Sequence, residues 1–135
     1  MTFFANLHSL SDWALLVLRL GLGVTFLVHG RQKIPMWKMQ PSAQLPAGML
    51  SIMRTLSIAE TAGGLGVTTG CLTQLAALGL AIVMLGAMRF KIMQWHRKFT
   101  GDGGWELDYA LLAAAVTLFL TGGGRFALDR ALWGL

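Results

Sequence analysis

The fold is decided by the stretch LSIAETAGGLGVTTGC, residues 56–71, an apolar run with one acid, Glu60, near its middle. An ionisable side chain at membrane depth costs about 2.5–3.5 kcal/mol on insertion scales, so such a residue is a functional hypothesis by default. Arg19 is the same kind of exception in the first apolar run of the chain. The purpose of these two charges is the question that the sequence sets.

Apolar runs continue on both sides of this stretch, and 55% of the 135 residues are apolar. A helix needs about 20 mostly apolar residues to cross the hydrocarbon core, with about 17 as the lower limit. A soluble bundle would carry a polar stripe on each helix, and residues 75–88 and 111–120 show almost none. We predict one transmembrane domain over residues 1–135, with helices at approximately 13–29, 50–70, 72–90 and 105–121.

The predicted fold class is therefore all-α, an antiparallel four-helix transmembrane bundle with a long first internal loop and a short C-terminal amphipathic helix. All three prolines, Pro35, Pro41 and Pro46, fall in that first loop, together with Trp37. A long loop with an aromatic residue of its own often covers a binding site. We expect this loop to form a partly ordered cap at one mouth of the bundle.

The net charge of +5 is concentrated in two segments, which follow the first and third predicted helices. Residues 30–54 carry four basic side chains and no acid, and residues 89–104 carry four basic side chains against Asp102. By the positive-inside rule both segments are cytoplasmic. The prediction is a multi-pass protein of the bacterial inner membrane with periplasmic N and C termini. Nucleic-acid binding is disfavoured because the basic runs are short and flank membrane spans.

Cysteine and histidine usage limits the redox chemistry. Cys71 is the single cysteine, so neither an intrachain disulfide nor a Cys-x-x-Cys relay can form. His29 and His96 lie in segments predicted to be on the same side, but two histidines without further ligands are a weak indication of haem. The eight methionines are mostly scattered singly. We predict no haem and no metal.

The small and charged residues suggest how the helices meet. Ala62, Gly66 and Gly70 recur every four residues, a spacing that lets two helices approach closely in lipid, so helix 2 should pack against helix 3. On helix 4, Glu106 shares a small and polar face with Ala110, Ala113 and Thr117, and this face is predicted to look into the bundle. Asp108 then points towards loops or headgroups.

Helical depth places His29, Glu60, Arg89 and Glu106 in one layer at the inner mouth, with Arg19 above it. Two interpretations stay open for Glu60. It forms a structural ion pair with Arg19 or Arg89 that fixes helix order, or it handles a proton or holds a polar head group.

The ordered set of short motifs resembles the DoxX family. The motifs are RLGLGVTFLVHGRQK at 19–33, ETAGG at 60–64, GCLT at 70–73, GGWE at 103–106 and GGGRFALD at 122–129. The chain departs from the family pattern at Gly123, where Pro is frequent, and at Gln74, where Arg is frequent. The resemblance implies a small four-helix inner-membrane protein. The family is named for a subunit of an archaeal thiosulfate:quinone oxidoreductase, and its relatives are linked to thiol and oxidative-stress systems.

The leading functional hypothesis is a quinone-linked redox component, or a subunit of a thiol- or sulfur-related oxidoreductase system. Glu60 would exchange a proton with quinone, the suspected cofactor, in a pocket between helices 1, 2 and 4. The cofactor-binding candidates are His29, Arg89, Glu106, Arg19 and Trp105.

Membrane lipids, a redox partner subunit and a second copy of the chain are the candidate partners. Two alternatives stay open, so whether the protein is an enzyme is not decided. One is a non-enzymatic scaffold that recruits a redox or stress-response partner. The other is a small proton-coupled transporter that uses Glu60.

Overall fold

The computed structural model describes residues 7–134, and the chain is helical there, without strands. The five α-helices are α1 (Ser11–Gln32), α2 (Ala47–Thr69), α3 (Thr73–Met93), α4 (Glu106–Thr121) and α5 (Leu128–Trp133). Two 3-10 turns, Leu7–Leu10 and Ile34–Trp37, flank α1. The predicted C-terminal amphipathic segment contains α5, and its last residue, 135, lies outside the described residues, as do residues 1–6.

The hairpin between α2 and α3 is closed by backbone geometry. Gly70 adopts the left-handed conformation (φ 73°), and its N–H and that of Cys71 both donate to the Gly66 carbonyl. This is the glycine-based end that commonly terminates helices. Leu72 also has a positive φ, 52°, and α3 begins at the next residue. The connection is therefore too short for anything but an antiparallel neighbour.

Small residues set the spacing between helices. Gly63 and Gly66 of α2 lie against Leu80 and Ala76 of α3, which confirms the predicted close contact of these two helices. Gly23 of α1 lies against the backbone of α2, where an added methyl group would overlap Thr68. Glycines therefore bring three helices together without intervening side chains.

Gly30 lies within α1 and does not end it, and it forms part of the contact between α1 and α2. The helix continues to Gln32, and Gly30 faces Ser57 and Thr61 of α2. The hydroxyl of Ser57 donates to the Gly30 carbonyl at 3.1 Å, so a polar contact accompanies the close approach.

Several polar side chains are buried within residues 7–134, and many large apolar side chains are exposed. The apolar core is small and is built around Leu22, Phe26, Val67, Leu80 and Leu118. The buried polar side chains are Arg19, Ser57, Glu60, Thr73, Asp108 and Asp129. Exposed large apolar side chains cover the outer faces of the long helices, among them Val17, Val24, Leu65, Ile82 and Leu120. So large an apolar exterior indicates a surface that meets lipid or another apolar partner.

Within residues 7–134, two helical stretches are long and apolar enough to cross a membrane, Leu7–Trp37 and Thr73–Met93. The helix α2 has sufficient length, but Arg54, Glu60 and its glycines make it less apolar. The helix α4 has only 16 residues, just below the usual minimum of about 17.

Candidate functional site

A half-open cavity of about 550 Å³ is lined by residues of all four long helices. Its wall is largely apolar and includes Met49, Met53, Leu56, Met84, Phe90 and Trp95. Its polar groups are two lysine–carboxylate pairs and His29. A mostly apolar cavity with a few convergent polar groups is the usual form of a small-molecule site. The sequence predicted walls from helices 1, 2 and 4, and α3 contributes as well.

The first pair joins α1 to α2. Lys33 lies directly after α1, and its Nζ is 2.5 Å from Oε2 of Glu60. The same Nζ also donates to the carbonyl of His29 at 3.4 Å. The Glu60 side chain is only 5% exposed and that of Lys33 is 20% exposed, so the lysine forms the edge of the cavity and the acid its interior.

The second pair joins α3 to α4. Nζ of Lys91 is 2.6 Å from Oδ2 of Asp108 and donates to the Gly104 carbonyl at 3.2 Å. Asp108 lies in the first turn of α4, where a negative charge is favoured by the helix dipole. This pair therefore has the same composition as the first, a lysine shared between a carboxylate and a backbone carbonyl.

The predicted orientation of α4 is wrong. Asp108 is buried and lines the cavity, whereas Glu106, Ala110, Ala113 and Thr117 are all exposed. The hydroxyl of Thr117 donates to the Ala113 carbonyl one turn earlier, so it is satisfied on the outer face and does not need the bundle interior. Glu106 consequently lies outside the cavity.

The predicted partners of Glu60 are also wrong. The acid pairs with Lys33 and with neither Arg19 nor Arg89. Arg89 is exposed on the outer face of α3, beside a shallow depression of about 190 Å³ that also includes Phe90 and Gln94.

The remaining candidates divide between the cavity and its surroundings. His29 lines the cavity together with Glu60. Trp105 lies elsewhere, with its ring 4.6 Å from that of Phe99 and near Tyr109. The structure thus brings His29 and Glu60 together, and places Arg19, Arg89, Glu106 and Trp105 outside this group.

Arg19 is buried at the other end of the helices, where it ties together three segments. Its guanidinium donates to the carbonyls of Val67, Thr68 and Gly123, each at 3.0 Å. Val67 and Thr68 belong to the last turn of α2, whose carbonyls have no partner within the helix. A cation at this position satisfies those carbonyls and complements the negative end of the helix dipole.

Asp129, in the first turn of α5, caps the beginning of α3. Its carboxylate accepts hydrogen bonds from the backbone N–H groups of Leu72 and Thr73, at 2.6 and 2.8 Å. Burial acts to raise the pKa of Asp129, but hydrogen bonds from Thr73 and Leu72 and the positive charge of Arg19 together hold that pKa below its ordinary value. Arg19 and Asp129 therefore form a clamp on the turn between α2 and α3.

One side chain of α2, Arg54, makes several contacts with the long first loop. Arg54 donates to the carbonyls of Met36 and Met39 at 3.1 and 2.8 Å, and its guanidinium lies 6.0 Å from the ring centre of Trp37. These contacts hold the loop against the beginning of α2. The described lining of the cavity includes no residue of 34–46, so the loop does not form its wall.

Lys33, Lys91 and Asp108 are not among the predicted site residues, because both lysines fall in segments that the sequence predicts as basic loops. Helical spacing from buried residues indicates that each of the three faces the interior. Lys33 continues the inward stripe of Phe26 and Gly30, and Lys91 lies one heptad after Met84. Asp108 precedes the buried positions Ala115 and Leu118 at the same period.

Within residues 7–134, no group of three or more histidine, cysteine or acidic side chains is placed to hold a metal ion. The polar groups of the cavity are ammonium and carboxylate side chains with one imidazole. Such groups donate and accept hydrogen bonds and exchange protons with a bound molecule.

Comparison with known proteins shows which family the chain resembles. The family model named DoxX matches residues 14–96. The protein named "Putative oxidoreductase CatD" from Bacillus subtilis (strain 168) is 32% identical over 117 residues, which cover 84% of this chain and 83% of that protein. No solved structure matches the chain significantly.

Proposed function

Because the chain belongs to the DoxX family, whose members are membrane-associated, we propose that it is a quinone-linked component of an oxidoreductase system. The observation that carries the proposal is the Lys33–Glu60 pair at the edge of a largely apolar cavity. The name of the Bacillus subtilis relative, which classes it as an oxidoreductase, supports the same class of activity. A role in thiol or oxidative-stress chemistry belongs to this proposal.

We propose that α1 to α4 form an antiparallel bundle that crosses the bacterial inner membrane four times. The apolar outer faces of these helices support this arrangement, and so do the two stretches that meet the length and hydropathy of a span. The segments rich in lysine and arginine then lie in the cytoplasm and both termini in the periplasm. The cavity opens beside the segments that follow α1 and α3, and hence towards the cytoplasmic half of the membrane.

The cavity suits a molecule with a flat apolar ring and a polar oxygen. Methionine, leucine and aromatic side chains contact the ring, since Met49, Met53 and Phe90 are unbranched or planar and adapt to flat surfaces. Lys33 donates a hydrogen bond to the oxygen, and Glu60 accepts or returns its proton. His29 lies in the same wall and can donate a further hydrogen bond.

Reduction of the quinone to its quinol consumes two electrons and two protons. Glu60 takes up a proton from water at the mouth of the cavity and passes it to one quinone oxygen, and water at the mouth supplies the second proton. The two electrons come from a reduced sulfur compound, either directly or through a partner subunit. A relay of two thiols within the chain is excluded because Cys71 is the single cysteine.

The experiment is extraction and mass spectrometry of quinone that copurifies with the detergent-solubilised protein, together with a titration by a short-chain quinone. We expect bound quinone in the unmodified protein and a loss of most of it in Glu60→Gln, because the amide cannot take a proton or balance Lys33. Glu106→Gln is the matched control, since Glu106 is an exposed carboxylate outside the cavity.

Two results would overturn the proposal. One is an unmodified protein that neither retains quinone nor binds the short-chain form. The other is a Glu60→Gln protein that binds quinone as tightly as the control variant does. A parallel thermal unfolding scan separates lost binding from lost folding.

A further inference from the structure

The cavity is lined by two polar pairs of the same kind, and the proposed function uses only one of them. Lys33–Glu60 and Lys91–Asp108 come from different helices, yet both line the same space. The second pair is remote from the first in sequence. Two such pairs in one apolar cavity favour a ligand that carries two polar groups.

Lys33 and Lys91 each have one N–H donor that makes no hydrogen bond to a described residue. An ammonium group has three N–H donors. Lys33 donates two hydrogen bonds, one to Glu60 and one to the His29 carbonyl. Lys91 also donates two hydrogen bonds, one to Asp108 and one to the Gly104 carbonyl. Each lysine side chain is between a fifth and a quarter exposed, so its third donor is accessible to a bound molecule.

The carboxylates present a matching set of acceptors. Each lysine contacts one oxygen of its acid, Oε2 of Glu60 or Oδ2 of Asp108. The other oxygen of each acid has no hydrogen-bond partner among residues 7–134. Every pair therefore offers one donor and one acceptor to the cavity. A carbonyl oxygen is held by the lysine, and a hydroxyl group by the carboxylate.

The charges of the two pairs cancel within the cavity. Two ammonium groups and two carboxylates leave no net charge to attract an anion or a cation. The site therefore favours a neutral ligand, one whose polar groups change between carbonyl and hydroxyl without changing their charge. A ligand with a single oxygen leaves one pair without its polar partner, and a site built for hydrogen bonds discriminates strongly against such an analogue.

We propose that Lys91 and Asp108 bind and position the second oxygen of the ligand, so that the substrate class is a neutral ring dione and its reduced diol. This inference rests on the proposed function and adds a specificity-determining pair to it. Lys33–Glu60 holds one oxygen and Lys91–Asp108 holds the other. The requirement for two oxygens distinguishes such a ligand from a monoketone, a phenol or a fatty acid.

The experiment compares 1,4-naphthoquinone, with two carbonyl groups, and 1-tetralone, a fused bicyclic ketone with one. Binding is measured by quenching of tryptophan fluorescence in lipid nanodiscs, since Trp95 lines the cavity, with correction for ligand in the lipid. All proteins carry Cys71→Ser, which removes the single thiol that the dione can alkylate. The variants are Lys91→Met and, as the matched control, the exposed Arg97→Met.

We expect the unmodified cavity to bind the dione at least about tenfold more tightly than the monoketone, the value of one hydrogen bond to a charged group. Lys91→Met should weaken dione binding by about the same factor and leave monoketone binding within about twofold. Arg97→Met should change neither. The preference for the dione is thus expected to disappear in one variant alone.

Different results overturn different claims. If the unmodified protein binds neither compound, the proposed function fails and this inference fails with it. If it binds the dione but does not prefer it over the monoketone, or if Lys91→Met keeps the preference, the inference alone is wrong.

Lys91→Met leaves the charge of Asp108 without its partner, which can prevent folding. The double variant Lys91→Met/Asp108→Leu removes both charges and decides the question in that case. It should show the same loss of preference, and a double variant that retains the preference overturns the inference.

Discussion

Each buried charge in this protein has identifiable partners. Glu60 and Asp108 each contact a lysine, and Arg19 has three backbone carbonyls as acceptors. The lysine pairs keep an exposed edge at the cavity, whereas Arg19 is 1% exposed and has no opening to a ligand. Burial and partners together therefore separate the charges that can act on a bound molecule from Arg19 and Asp129, which hold the fold.

Replacement of Arg19 tests this separation. Arg19→Met should lower the free energy of unfolding by about 3 kcal/mol or more, because three buried carbonyls lose a charged donor. The measurement is a thermal or denaturant scan in detergent. Arg125→Met, an exposed arginine near the same end, is the control and should change stability by less than about 0.5 kcal/mol. Equal stability of the two variants would contradict the clamp.

The lowered pKa of Asp129 predicts an acid-sensitive stability. A carboxyl group whose pKa is lower in the folded than in the unfolded state stabilises the fold above the unfolded pKa, about 3.9. That contribution is lost as the pH falls from about 4 towards the folded pKa. The difference in unfolding free energy between the native protein and Asp129→Asn should therefore shrink between about pH 5 and pH 2.5. A difference that stays constant over this range would argue against the assignment.

At the scale of the helices, glycines decide which faces meet. Gly23 contacts α2 so closely that a Cβ atom there would approach the Gly64 carbonyl and the Thr68 amide at 2.9 and 3.0 Å. A Cβ atom added at Gly21, one half-turn earlier on the same helix, would meet no atom of another segment within 4 Å. The same residue type therefore marks an interface at one position and an open surface at the other.

This pair gives a matched test on a single helix. Gly23→Ala should destabilise the protein by about 1–3 kcal/mol, since the α1–α2 interface must shift away from fixed backbone atoms. Gly21→Ala should be neutral or stabilising by up to about 1 kcal/mol, because alanine is the better helix former. Unfolding scans of both variants provide the comparison. A neutral Gly23→Ala would show that the interface is looser than described.

The sequence predicts the positions of the helices better than it predicts which face of each helix points into the bundle. Apolar length indicated the helical segments, and the small residues of α2 indicated its contact with α3. The predicted face of α4 is wrong because a polar side chain on a membrane helix need not point inwards: the hydroxyl of Thr117 donates to a carbonyl of its own helix. Glu60 was recognised, but its partner Lys33 was not, since pairing depends on where α1 ends.

At the scale of the whole molecule, large apolar side chains are exposed on the outer faces of the long helices, so the proposed orientation of these helices in a membrane can be tested by labelling. In a Cys71→Ser background, Lys38→Cys should resist a membrane-impermeant maleimide in intact cells, and Gln74→Cys should react. Both positions are exposed, whereas Thr73 beside the second is fully buried and would give no label. Labelling after permeabilisation is the control, and the reverse pattern would invert the proposed topology.

The clamp on the turn between α2 and α3 also has a consequence for biosynthesis. Asp129 lies 57 residues after Leu72, and Arg19 lies 48 residues before Val67. A ribosome therefore completes α2, the turn and α3 well before it supplies the carboxylate that satisfies the first N–H groups of α3. Until then the backbone N–H groups of Leu72 and Thr73 have no carboxylate acceptor, and the synthesis of Asp129 completes the hydrogen bonding at this end of the hairpin.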